Sequence, residues 1–132
     1  MVKYQPTRRG WPAKFKYAFA GLLAGIRGQS SFFVHLLMTG AVIVAAALLK
    51  VDLIEWGLLV LCTAIVLAAE CFNSALEQMA KSVTDQHDEQ IGTALDIASG
   101  AVLVAAIGAA IVGAIVLGGR LCFLVFHAAN HA

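Results

Sequence analysis

The chain has 132 residues, 61% hydrophobic and 13% charged, with a mean hydropathy of +0.86. A soluble domain is about 45–50% apolar and about 25% charged, so a water-soluble globular domain and a disordered tail are both excluded. A formal net charge of +1 creates no field that would recruit nucleic acid, and the length suits one domain over residues 1–132.

The first predicted element is an amphipathic helix over residues 11–28. Pro12 suits a first turn, and Phe15, Phe19, Leu22, Leu23 and Ile26 recur at helical spacing. Lys14, Lys16 and Arg27 supply cations beside that stripe. Such a helix lies in the membrane interface, with Trp11 and Tyr17 near headgroup level. No secretory signal peptide is expected, because the first apolar stretch begins too late and lacks a cleavage site.

Three spans follow, each measured against the roughly 20 apolar residues that a bilayer requires. Phe32 to Leu49 carries no formal charge, within a helix predicted at 31–49. Trp56 to Ala69 is bracketed by Glu55 and Glu70, within a helix predicted at 54–79. Ile97 to Gly119 is uncharged and closed by Arg120, within a helix predicted at 94–119. The tail, 120–132, receives no function. Its His127 and His131 are spaced i, i+4 like a helical metal pair, but no third ligand lies nearby. Cys62, Cys71 and Cys122 are odd in number and lie in apolar stretches. They read as small buried residues, not as a disulfide framework or metal site.

Six of the nine Lys and Arg residues precede the first span, which predicts a cytoplasmic N-terminus and a multi-pass topology. The 80–95 loop is then inside and the C-terminus outside. Every acidic residue lies after position 51, and acids count little in this rule.

Polar groups gather where the second span leaves the membrane. Glu70, Asn73 and Glu77 fall at i, i+3 and i+7, on one helix face. A carboxylate at mid-bilayer costs about 2.5–3.5 kcal/mol, and ionisable groups at membrane depth usually face a partner, a cavity or a ligand. One reading is a cation and phosphate site: magnesium takes hard oxygen ligands together with substrate phosphates, and a second carboxylate serves as general base. The other reading is an ordinary helix end, with Glu77 paired to Lys81 at i+4. Asp85, Asp88 and Glu89 read as a solvated loop. No GxxxxGK[ST] loop or protein-kinase signature set is present. Gly21 and Gly25, and the row Ala106, Ala110 and Ala114, suit close helix approach, and equally suit generic apolar composition.

The segment Glu70-Cys71-Phe72-Asn73-Ser74-Ala75-Leu76-Glu77 resembles the glutamate–asparagine–small–small–glutamate motif of the small prokaryotic diacylglycerol kinases, which include the undecaprenol kinases. Ala94-Leu95-Asp96 with Ser99 resembles the stretch that opens that family's third span. Residues 15–28 are similar to its surface helix, and 29–35 to its turn into the first span. The resemblance covers about residues 10–118.

It implies an all-α integral membrane fold: a surface helix plus three transmembrane helices, assembled as a homotrimer in the bacterial cytoplasmic (inner) membrane. It implies transfer of the γ-phosphate of ATP, with Mg2+, to a membrane lipid hydroxyl. Diacylglycerol is the first acceptor and undecaprenol the alternative. By resemblance, Glu70 is the general base, with Asn73 beside it in the catalytic motif. Glu77 and Gln29 hold the metal. Tyr17, Gln29, Glu77, Gln86, His87, Asp88, Leu95 and Asp96 approach the nucleotide. Phe15, Phe19, Ser31, His35, Trp56, Glu70 and Ser99 line the lipid site.

Three positions depart from the pattern. Gln29 stands where a glutamate is common, Lys81 where an aspartate is usual, and Leu95 where a lysine is usual. Lys81 is a candidate to replace the missing cation; the simple Glu77–Lys81 pair is its rival. A divergent, non-catalytic lipid- or nucleotide-binding member is the competing class, favoured by Gln29 and Leu95. A channel is disfavoured because no polar stripe crosses any span.

Overall fold

A computed structural model describes residues 10–28, 30–84, 86 and 88–130. They form four helices: α1 (Trp11–Gly28), α2 (Ser30–Leu48), α3 (Leu53–Val83) and α4 (Glu89–Ala129). The fold is all-α. Helices α2, α3 and α4 are each long and apolar enough to cross a membrane. No more than 17% of each spanning window is buried within the chain. Their apolar side chains therefore face outward, as lipid-facing helices do and the helices of a soluble bundle do not.

Local chemistry sets the helix ends. Asp52 caps α3 in a reciprocal capping box: its Oδ1 accepts from the backbone N–H groups of Ile54 and Glu55, both at 2.9 Å. The Glu55 carboxylate accepts from the Asp52 N–H at 2.7 Å. The α2–α3 turn passes through Lys50 at φ 52°, a left-handed conformation that glycine adopts more readily. Asp88 caps α4, accepting from Gln90 and Ile91 N–H at 2.9 and 3.0 Å.

Helix α4 packs along α3 as the main pairing, and α2 and α1 lie against α3 less extensively. The apolar core sits at the α2–α3 turn, where Ala46, Val51, Leu59 and Val116 are buried, with Trp56 packed against them. Arg120 ties the same end together. Its Nη2 donates to the Lys50 carbonyl at 2.9 Å, and its Nε lies 3.5 Å from Glu55 Oε2.

Several elements differ from expectation. Helix α3 runs four residues past Met79, and α4 begins at Glu89 instead of position 94. Helix α4 also continues through the tail to Ala129, because a helix need not stop where a charged residue meets the membrane edge. There Phe123 and His127 stack at 5.1 Å, while His131 lies outside the described residues. Cys62 and Cys71 are half-buried, but Cys122 is exposed, because α4 outruns its neighbours at that height; none is paired.

Candidate functional site: a buried carboxylate row in the C-terminal half of α3

The end of α3 remote from the core carries the polar row. Glu70 is 2% exposed and Asn73 6%, so the motif face turns inward against α2 and α4. A buried carboxylate demands partners, and α2 supplies them. The Ser31 hydroxyl donates to Glu70 Oε1. His35 Nε2 lies 4.0 Å from Glu70 Oε2, one turn further along α2. Ser31 and His35 are spaced i, i+4, so one face of α2 meets the carboxylate twice.

Asn73 links the rest of the row to α4. Its Nδ2 donates to Glu77 Oε1 at 3.0 Å, and its Oδ1 accepts from the Ser99 hydroxyl at 3.4 Å. Glu77 is half-buried. The arrangement therefore has one carboxylate buried and held by α2. A second, more open carboxylate is held by an amide that α4 orients. Two carboxylates in unlike surroundings suit unlike tasks, proton acceptance for the first and cation binding for the second.

Six of the expected site residues come together here: Ser31, His35, Glu70, Asn73, Glu77 and Ser99. Asp96 is exposed one turn before Ser99 on α4, and Leu95 beside it is half-buried. Phe15, Tyr17 and Phe19 are exposed on α1, at 70%, 52% and 67%. Lys14 Nζ sits 4.8 Å over the Trp11 ring at the start of that helix, which suits an interfacial position. Gln86 is exposed in the α3–α4 connection, where its N–H donates to Thr84 Oγ1 at 3.0 Å. Asp88, expected near the nucleotide, spends one carboxylate oxygen on capping α4. Lys81 is exposed on the last turn of α3, where a cation also complements the helix dipole. Gln29 and His87 lie outside the described residues.

Trp56 is not brought to the site. It precedes Glu70 by 14 residues of one helix, about 21 Å along the axis, and packs on the core at the opposite end. Ser74, 5% exposed and one turn beyond Glu70, is a motif residue to which the sequence pattern assigns no role in the site. Its i+4 spacing from Glu70 was the available signal.

Among the described residues, no three His, Cys, Asp or Glu side chains form a metal-holding group. Magnesium bound with a nucleotide needs only one or two carboxylates, the phosphates and water completing its shell. The Glu77 carboxylate is a hard-oxygen donor and fits that demand, while the Asn73 amide nitrogen holds it and the Asn73 Oδ1 faces Ser99.

The family model for prokaryotic diacylglycerol kinase matches residues 16–117. A diacylglycerol kinase of Synechocystis sp. is 39% identical over 104 residues, covering 78% of this chain and 59% of that protein. An undecaprenol kinase of Bacillus subtilis is 29% identical over 102 residues, covering 77% of this chain and 83% of that protein. The matched stretch thus spans less than two thirds of the Synechocystis relative. Each match, by its length alone, includes residues 70–77.

Proposed function

The chain belongs to the prokaryotic diacylglycerol kinase family, a family of membrane lipid kinases. From that membership we propose that this multi-pass membrane protein transfers the γ-phosphate of ATP to the hydroxyl of diacylglycerol, giving phosphatidic acid. The observation that carries the reading is the buried Glu70 carboxylate in one row with Asn73 and Glu77.

In this reading the lipid hydroxyl meets Glu70. Oε1 is occupied by the Ser31 hydroxyl, so Oε2 accepts the proton. The lipid oxygen then bonds to the γ-phosphorus as the bond to the β-phosphate oxygen breaks, and ADP leaves. Phosphoryl transfer needs mainly positioning and charge neutralisation, which suits so small a scaffold. Glu77, held by Asn73, would with Gln29 hold magnesium, which when bound supplies positive charge to the phosphate oxygens. An apolar cavity of about 410 Å³ between α2, α3 and α4 has His35 and Val66 among its lining residues.

The cationic N-terminal stretch supports a cytoplasmic N-terminus in the inner membrane, which puts the row on the side where ATP is available. One chain leaves Glu77 half-open, and a homotrimer would wall the site with neighbouring subunits. The Bacillus subtilis relative supports undecaprenol as the second candidate acceptor, because an apolar pocket separates such tails weakly.

Labelled γ-phosphate offered with magnesium and each lipid separately, in mixed micelles, tests the reading. Label in diacylglycerol supports it, and label only in undecaprenol assigns the other acceptor. Label in neither points to a divergent, non-catalytic member and refutes it.

A further inference from the structure

Beside the carboxylate row, α1 and α3 enclose a second cavity, of about 580 Å³. Small residues make the room: Ala18, Gly21 and Gly25 on α1 face Ala75 on α3. Nothing lies within 4 Å of where a Cβ would stand on Gly21 or Gly25. Ser74 lines this space. It is 5% exposed, and its hydroxyl is buried without a hydrogen-bond partner among the described residues. A buried hydroxyl usually finds a partner. A helical serine commonly bonds back to the carbonyl four residues earlier, yet Ser74 makes no such bond.

Position gives the hydroxyl a meaning. Ser74 follows Glu70 at i+4 on one helix, which places the two Cβ atoms about 5–6 Å apart. In a diglyceride the free hydroxyl and the neighbouring ester carbonyl are separated by a few bonds, a similar distance. A lipid whose hydroxyl meets Glu70 therefore brings an ester carbonyl to the height of Ser74. The carbonyl only accepts, and a serine hydroxyl can donate. The surroundings are otherwise mostly apolar, where such a bond is strong and its absence is felt.

We propose that Ser74 is a specificity-determining residue of the lipid site, donating a hydrogen bond to an ester carbonyl of the acceptor within the α1–α3 cavity. The inference rests on the lipid-kinase reading above and adds a chemical class to it. The acceptor is a glycerol ester, and a polyprenol, which has no carbonyl, gains nothing from this contact.

The test compares a diacylglycerol with its dialkyl ether analogue, which keeps the hydroxyl and the chains but lacks the carbonyl. The wild-type chain should show kcat/KM about three- to ten-fold higher for the ester, the range of one hydrogen bond. In Ser74→Ala that ratio should collapse toward one, with the loss falling on the ester. Because the hydroxyl has no partner among the described residues, Ser74→Ala should not lower the thermal unfolding midpoint. Gly21→Leu, which fills the cavity from α1, should raise KM for both lipids. Equal use of ester and ether by the wild type would overturn the inference, as would an ester preference that survives in Ser74→Ala. Either result would leave the kinase intact. Absence of transfer to any lipid by the wild type would overturn the kinase reading and the inference together.

Discussion

The hydroxyl of Ser31 donates to the carboxylate of Glu70 across 39 positions of sequence, so α2 steadies the group that α3 buries. A hydrogen bond to a charged partner contributes about 1.5–3 kcal/mol. Ser31→Ala should therefore lower the unfolding midpoint in detergent and reduce lipid turnover by about ten-fold or more. Thermal unfolding and initial rates on the same preparation check both. Unaltered turnover would mean that the carboxylate is held without the Ser31 hydroxyl.

Asn73 is the joint between α3 and α4, with Glu77 on one side of its amide and Ser99 on the other. Asn73→Asp keeps the size but replaces the donor to Glu77 with a second acceptor. Turnover should fall by at least about ten-fold. Ser99→Ala removes only the longer, 3.4 Å contact and should cost less. A Ser99 variant more damaging than the Asn73 variant would reverse this ranking.

If Glu77 binds magnesium, Glu77→Gln should raise the magnesium concentration for half-maximal turnover by about ten-fold or more, since it removes the charge and keeps the oxygen. Gln29→Glu should move it the other way. Magnesium titrations of the three proteins, each started from chelator-treated enzyme, make the comparison. An unchanged midpoint in Glu77→Gln would place the cation elsewhere.

At the opposite end, Arg120 joins Glu55 and the Lys50 carbonyl. Both side chains of the ion pair are partly exposed, so Arg120→Ala should cost only about 1 kcal/mol. Glu55 precedes Glu70 by 15 residues of one helix, about 22 Å. Turnover at a temperature where the variant is folded should stay within two-fold of wild type. Denaturant titration and activity, read side by side, separate the two effects.

Much of this was legible in the residues. Long uncharged stretches announce α2 and α4, because a bilayer admits little else. The i, i+3, i+7 spacing of Glu70, Asn73 and Glu77 announces a shared face. Which face it meets is a tertiary matter: Ser31, His35 and Ser99 reach the row only once α2 and α4 pack on α3. Trp56 lies at the other end of α3 because 14 helical residues separate it from Glu70, a separation that no local motif displays. Asp88 has a local duty as a helix cap that a site assignment overlooks. The reach of α4 to Ala129 was hidden because Arg120 marks a membrane edge, not a helix end. Ser74 reads in the sequence as a small packing residue of the motif, and only the fold shows its hydroxyl buried without a partner among the described residues.

The central claim is that Glu70 accepts the proton of the lipid hydroxyl. Its most direct test is phosphate transfer to diacylglycerol by wild type and Glu70→Gln, each shown to be folded and to bind magnesium ATP. The glutamine keeps the size and an acceptor oxygen for Ser31 but cannot take the proton. Transfer should fall by about 10²–10⁴-fold, with nucleotide affinity nearly unchanged. A Glu70→Gln protein that phosphorylates lipid at a rate close to wild type would contradict the account.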